Sequence, residues 1–331
     1  MTTTERTANT RTLYFEGDDL YNDMLAAIDG ARERVWMESY IFSADPIGQR
    51  FAAALSRAAR RGLDVRLHVD AVGSLFQLPA GFLRTLEEAG VTFRSFHRWS
   101  WRDPWRYNRR NHCKLLITDR DTVFLGGFNI HRENSASLFG PQRWRDTHIR
   151  LHDTGLTAQA IGLFETFWSG RVPAWLQHRN RPERNHGDTL ISNRLPRHRF
   201  ALRRLYHRGL LAARHEVLLT TPYFAPDRRT RRLLQRGIRL HEYRPRTLHA
   251  KTMVVDRGLA TIGTANLDYR SLLHNYEINF VTRDAATCEA LAQRFDGDLD
   301  ESETITLGHL PRRRWWERLA GVVGWQLRHW L

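Results

Sequence analysis

The stretch from Asn111 to Asn129, NHCKLLITDRDTVFLGGFN, recurs from Leu248 to Asn266 as LHAKTMVVDRGLATIGTAN. Every polar landmark is shifted by 137 residues: His112 to His249, Lys114 to Lys251, Asp119 to Asp256, Gly126 to Gly263 and Asn129 to Asn266. A pattern kept in register over that separation makes the chain two related halves. The length of 331 residues agrees, since it exceeds the size at which one hydrophobic core usually stops growing.

The first half reads as helices alternating with strands. Helical spacing covers 18 to 33, 48 to 62 and about 80 to 89, and strand-like runs cover 34 to 42, 64 to 73, VTFRSF and the motif segments KLLITD and TVFLGG. This alternation predicts an α/β fold: two pseudo-symmetric α-β-α sandwich halves packed together around mostly parallel or mixed sheets. The second half echoes the order, with HEVLLTTPYFAPD matching ERVWMESYIFSADP and GIRLHEY matching GVTFRSF. Tyr40 to His112 spans 72 residues but Tyr223 to His249 only 26, so the second half lacks about 46 residues and its sheet should be narrower. The expected organisation is a first half over 13–175, a polar, arginine-rich linker over 176–199, a shortened second half over 200–305 and a terminal segment over 311–331.

In an extended strand, side chains two apart share a face, so His112 and Lys114 point one way while Cys113 points into the packing. A lone H-x-K carries no signal, but two copies related by a pseudo-twofold axis would form one pocket with two imidazoles, two ammonium groups and two asparagine amides. Two lysines about 4 Å apart repel by about 4 kcal/mol at an effective dielectric of 20, so the pocket makes sense only around an anion such as phosphate. One histidine can attack phosphorus and the other can protonate the departing oxygen, which gives a phosphohistidine intermediate and calls for no metal or cofactor. Lys114, Lys251, Asn129 and Asn266 would bind the phosphate oxygens. Asp146 in WRDTHIRL, 34 residues after His112, and Glu277 in HNYEINF, 28 after His249, are the candidates for orienting the imidazoles. Asp119 and Asp256 complete the catalytic motif set, although at the ends of the motif strands they read as structural acceptors for nearby backbone or lysine.

The two motifs resemble the HKD signatures of the phospholipase D superfamily, and the blocks YIFSADPIGQRFAAALSRAARRGLDVRLHVDAVGS, GGFNI, WRDTHIRL, TPYFAPD and GTANLDYRSLLHNYEINF are similar to those of bacterial cardiolipin synthases over about residues 13 to 300. The resemblance implies transfer of a phosphatidyl group: a histidine attacks one phosphatidylglycerol, glycerol leaves, and a second phosphatidylglycerol takes up the phosphatidyl group to form cardiolipin. It implies His112 as nucleophile and His249 as acid and then base, or the reverse. A phospholipase or nuclease using water as acceptor, and an inactive lipid-binding homologue, are the alternatives. Two departures bear on this. Gly127 stands where many members carry serine, and the missing block of the second half supplies part of the acceptor-side wall.

Lysine and arginine exceed aspartate and glutamate by 51 to 36, a formal charge of +15 that gathers polyanions, whether nucleic acid or an anionic membrane. HRWSWRDPWRYNRRNH, 97 to 112, interleaves aromatic residues with five arginines at the pocket rim, which suits a lipid headgroup layer and, second, single-stranded nucleic acid. In the terminal segment Trp315, Trp316, Leu319, Val322, Val323, Leu327 and Trp330 share one helical face and Arg314, Arg318 and Arg328 the other, predicting an amphipathic interfacial helix. Two cysteines are too few for a disulfide framework, and no apolar run reaches the roughly 18 residues of a membrane span. The expectation is a cytoplasmic protein held peripherally on the inner membrane by anionic phospholipid. The oligomeric state is open, and an exposed sheet edge in the second half could invite dimerisation.

Overall fold

The computed structural model describes residues 10–97, 108–170, 187–222 and 228–309. The aromatic rim over 98–107, much of the expected linker, Tyr223 and the terminal segment 311–331 lie outside these residues.

The first half holds β1 (Thr10–Tyr14), α1 (Gly17–Gly30), β2 (Arg34–Ser39), α2 (Pro46–Arg60), β3 (Asp64–Asp70), α3 (Ala80–Glu88), β4 (Thr92–Phe96), β5 (Leu115–Thr118), β6 (Thr122–Gly126), α4 (Ala136–Phe139), β7 (His148–His152) and α5 (Thr154–Trp168). Its seven strands are ordered β1-β7-β6-β5-β2-β3-β4, with β2, β3 and β4 parallel and the others antiparallel. Helix α2 shows how the sequence sets these elements. Asp45 caps it by accepting from the Ile47 and Gly48 amides, Pro46 opens the first turn, and Ile47, Phe51, Ala54, Leu55 and Ala58 form the buried stripe.

The second half holds β8 (Thr189–Ser192), α6 (Ala201–Ala212), β9 (Val217–Thr220), α7 (Arg228–Gln235), β10 (Leu240–Tyr243), β11 (Thr252–Val255), β12 (Leu259–Gly263), α8 (Tyr269–Leu273), β13 (Ile278–Thr282), α9 (Ala285–Asp300) and β14 (Ser302–Ile305). Its main sheet has five strands, β8-β13-β12-β11-β9, all antiparallel. The sheet is narrower, for a definite reason. In the first half β4 pairs with β3, whereas the described residues of the second half include no counterpart of β3. Strand β10, the echo of β4, therefore has no neighbour to join in the main sheet and pairs with β14 instead. The span 176–199 also needs correction as a linker, because it contains β8, which pairs with β13 as β1 pairs with β7. Four residues are too few to show a period, so only the pairing reveals it.

The inner faces of both sheets, including Ile117, Leu125, Ile149, Ile262 and Phe280, share one apolar cluster with α5 and α9. Helices α1 to α3 cover the outer face of the seven-stranded sheet, and α6 packs Leu202 and Tyr206 on Met253 and Val255 of the other.

Asp119 and Asp256 hold matching posts at the ends of β5 and β11 remote from the motif histidines. Both adopt left-handed backbone, at φ 55° and 49°. The Asp119 carboxylate accepts from the amides of Arg32, Glu33 and Arg34 at 2.7 to 3.2 Å, and the Asp256 carboxylate from those of Arg214, His215 and Glu216 at 2.8 to 2.9 Å. Backbone donors hold the Asp256 carboxyl down at about 2. Strands of four residues, each rising about 3.3 Å, keep both carboxylates roughly 13 Å or more from the imidazoles. Their place in the catalytic set is thus corrected to a structural one: each ties a motif hairpin to the turn that enters the neighbouring strand. Asp119→Ala should lower the unfolding free energy by about 1–3 kcal/mol in denaturant titration. A loss within error of zero would show that the turn does not depend on these bonds.

Candidate active site

Two single parallel bridges between the halves build the site: Asn111 pairs with Tyr276, and Arg145 pairs with Leu248. On one side the Tyr276 amide donates to Arg110 O and the His112 amide to Tyr276 O, both at 2.9 Å. On the other the Arg145 amide donates to Thr247 O at 2.9 Å and the His249 amide to Arg145 O at 2.8 Å. Each histidine is laid against the residue that precedes the carboxylate of the opposite half.

The imidazole partners are consequently crossed. His112 Nδ1 lies 3.0 Å from Glu277 Oε2 and 3.2 Å from the Thr264 carbonyl oxygen. His249 Nδ1 lies 2.6 Å from Asp146 Oδ2. All these partners accept, so the proton sits on Nδ1 and Nε2 presents its lone pair. The sequence identifies both carboxylates but places each after the motif of its own half; the bridges exchange them.

Lys114 and Lys251 are almost completely buried, at 2% and 1% exposure. Lys114 Nζ donates to His112 O at 2.8 Å, and Lys251 Nζ donates to His249 O and sits 3.6 Å from Asp146 Oδ2. Burial, reinforced by the Lys251 charge, pushes Lys114 down to about 7. Burial lowers Lys251 to about 8 against the pull of Asp146 and Glu277. Both ammonium groups also act on both imidazoles, in keeping with the contact of His112 with the Thr264 carbonyl of the other motif. His112 is lowered chiefly by burial, with Glu277 opposing and Lys114 and Lys251 adding to the depression. Burial and then Lys251 take His249 to about 3. For Asp146, burial works against ionisation, but Lys251 and His249 outweigh it and hold the carboxyl at about 2.

Asn129 and Asn266 are both buried. The Asn129 amide oxygen accepts from the Ile41 amide at 3.1 Å, while Asn266 Oδ1 has no partner. Gly127 is demanded by the site itself, because a Cβ there would lie 1.9 Å from Asp146 Oδ1. A serine would displace the carboxylate that orients His249. In the other half Thr264 occupies the matching place, its hydroxyl accepting from the Ile278 amide at 3.0 Å.

Several site residues escape the motif reading. The Tyr40 ring stands 4.8 Å from His112 and 5.3 Å from Lys114 Nζ, and the Trp144 ring stands 5.1 Å from His249. Behind His112, Arg194 pairs with Glu38 and donates to Asn111 Oδ1 at 3.2 Å, while Asp70 accepts from the Asn111 amide at 2.8 Å. Trp144 could have been suspected two residues before Asp146. Arg194 gives no signal, lying in a stretch that reads as linker. Among the described residues no group of three or more His, Cys, Asp or Glu could hold a metal ion, and no helix is long and apolar enough to cross a membrane.

Paired histidine–lysine strands from two halves, each imidazole oriented by the carboxylate of the other, define a phospholipase D-type phosphoryl-transfer site on a phospholipase D-like fold. The chain belongs to the family "Cardiolipin synthase, PLD-like domain", whose model matches residues 24–168 and 210–299. The second match is the shorter, as the abbreviated second sheet requires. Cardiolipin synthase 2 of Bacillus cereus is 31% identical over 361 aligned positions, covering 94% of this chain and 68% of the relative. Those positions exceed the 331 residues of this chain, so the relative carries segments without counterpart here. Cardiolipin synthase of Clostridium perfringens strain 13 is 28% identical, covering 91% and 72%. Among solved structures, phosphatidylserine synthase of Haemophilus influenzae Rd KW20 superposes with a TM-score of 0.65 over 89% of this chain and 87% of that one, at 13% identity, which speaks for the fold.

The lysine shifts give a pH dependence for anion binding. An ammonium charge that holds an anion is lost as pH rises through the folded-state value, here about 7 for Lys114 and about 8 for Lys251. Sulfate keeps its charge across this range, so its dissociation constant by calorimetry should rise by on the order of tenfold or more from pH 6 to pH 9. A flat profile would show that these lysines do not hold the anion.

Proposed function

We propose that the chain is a phosphatidyltransferase that joins two phosphatidylglycerols into cardiolipin and releases glycerol. The observation that carries this reading is the crossed pair of carboxylate–imidazole contacts around two buried lysines, together with membership of the family. His112 Nε2 attacks phosphorus, the bond to the glycerol oxygen breaks, and His249 Nε2 delivers a proton to that oxygen. The phosphatidyl group is then held on His112. His249 next takes a proton from a hydroxyl of the second lipid, whose oxygen attacks phosphorus and breaks the phosphorus–nitrogen bond.

Lys114, Lys251 and the amides of Asn129 and Asn266 bind the non-bridging oxygens, and Glu277 and Asp146 hold the two imidazoles in the required tautomer. Burial, reinforced by the charge of Lys251, keeps His249 neutral. An anionic diester seated between the lysines offsets their charge and brings the imidazole toward the protonated form that the first step uses. The substrate is an anionic phospholipid, and the protein works from the membrane surface as a peripheral enzyme. The acceptor side is more open than in longer relatives, because the second half, among its described residues, has no counterpart of β3.

Labelled phosphatidylglycerol in anionic vesicles should give cardiolipin on thin-layer analysis. Phosphatidic acid alone would assign water as the acceptor, and no product from a folded protein would overturn the enzyme reading. His112→Ala should abolish both turnover and acid-trapped label on the protein. His249→Ala should cut turnover by about 10²- to 10⁴-fold while label still accumulates, in keeping with loss of a general acid and base. Trapping that survives in His112→Ala would reverse the two roles.

A further inference from the structure

Among the described residues, ten large apolar side chains stand exposed, and six of them lie at one end of the fold: Leu75, Phe76, Leu138, Phe139, Phe200 and Tyr269. That end is the mouth of the histidine site. Residues 71–79 follow β3, and within them Gly73 packs against Tyr40, whose ring covers His112. Leu138 and Phe139 end α4, five residues before the Trp144 that covers His249. Tyr269 is three residues past Asn266, and Phe200 precedes α6 in the loop that leaves β8 beside the start of β13.

Phe76 is the most telling of the six. It is 96% exposed and holds a left-handed backbone at φ 63°, a conformation that a bulky residue adopts only under strain. Water offers nothing in return for either feature. Strain of this kind in a loop points to a function for the position. Cations stand among these side chains: the Arg199 guanidinium lies 5.6 Å from the Phe200 ring, Arg132 is exposed just ahead of Leu138, and Arg270 adjoins Tyr269.

We propose that this end of the molecule is its lipid-docking face, with Phe76, Leu138 and Phe139 entering the acyl boundary of an anionic bilayer and Arg132 and Arg199 meeting the headgroup phosphates. The inference rests on the phosphatidyltransferase reading for its choice of occupant. A diacylated substrate keeps its chains in the bilayer while its phosphorus reaches His112, so the residues around the pocket mouth are the ones that touch the membrane. Aromatic and aliphatic side chains interspersed with arginine suit that boundary, and the formal charge of +15 favours an anionic surface.

The remaining exposed apolar residues supply a control. Leu211, 73% exposed, sits at the end of α6 next to the turn held by Asp256, at the opposite end of the molecule. The full chain would carry an environment-sensitive fluorophore on Phe76→Cys, Phe139→Cys or Leu211→Cys; Cys113 and Cys288 are buried. On adding vesicles of equal phosphatidylglycerol and phosphatidylcholine, the labels at 76 and 139 should shift to the blue and the label at 211 should not. Phe76→Ser and the double variant Leu138→Ser, Phe139→Ser should lose at least tenfold in vesicle turnover. Both should keep their rate on short-chain phosphatidylglycerol below its micelle concentration. Equal loss on the soluble substrate would overturn docking as their role, and so would vesicle binding without a shift at 76 or 139, or an equal shift at 211. Failure of the wild-type chain on the soluble substrate, with the labels shifting as expected, would count against the chemistry alone.

Discussion

The two parallel bridges, Asn111 with Tyr276 and Leu248 with Arg145, are the contacts on which the rest of the site depends. Each is a short reciprocal backbone exchange, yet each fixes two things at once. It sets a motif histidine in place, and it brings up the carboxylate of the opposite half one residue further along. Neither half holds a complete imidazole–carboxylate pair by itself. The site exists only while the shared core of the two sheets, α5 and α9 keeps the halves in register. A slip of one residue at either bridge would turn the carboxylate away from its histidine, because neighbouring side chains in extended backbone point to opposite sides.

That arrangement carries two lysines into a dry interior. A base held below its ordinary value lowers stability at neutral pH, since the unfolded chain binds the proton more tightly. The deficit closes as pH rises from about 7 toward the ordinary lysine value of 10.5. The fold tolerates this through carboxylates placed nearby: Asp146 lies 3.6 Å from Lys251 Nζ, and the ammonium groups donate to the carbonyls of the motif histidines. What remains is a pair of buried ammonium groups whose N–H donors can serve an anion as well as the histidine carbonyls. Ground-state cost and affinity for a phosphodiester have the same origin.

Much of this was legible in the sequence because side-chain chemistry at fixed spacing survives in one dimension. The repeat at 137 residues identified the histidines, lysines and asparagines, and the strand-like context singled out Asp146 and Glu277. The crossing of those carboxylates was not legible, because it depends on how the halves meet and not on either half. Asp119 and Asp256 share the motif spacing with the histidines, but one strand separates the ends of the motif, and their left-handed backbone turns their carboxylates onto amide groups. Strand β8 was invisible for a simpler reason: four residues in an arginine-rich stretch carry no period, and their partners in β13 lie about 90 residues away. The departure of β10 from the main sheet follows from what is absent among the described residues, the counterpart of β3, and no propensity in LHEY encodes it.

The symmetry of the motifs is broken around them, and the break bears on the roles of the histidines. On the His112 side, Asn111 is held by Asp70 and Arg194, and Arg194 is paired in turn with Glu38, so strands β2 and β3 and the loop after β8 buttress that bridge with buried charge. The matching position on the other side is Leu248, which offers no polar group, and among the described residues the second half has no strand to stand where β3 does. His249 is braced through Arg145 and its pair with Asp298, and its ring is covered by Trp144. A nucleophile gains from a rigid mount, because the attacking atom must meet phosphorus along a narrow line. An acid that later becomes a base serves two different oxygens in turn. For the mechanism proposed above, the more heavily anchored imidazole suits the first task and the other suits the second, which supports the proposal of His112 as the nucleophile on grounds independent of resemblance.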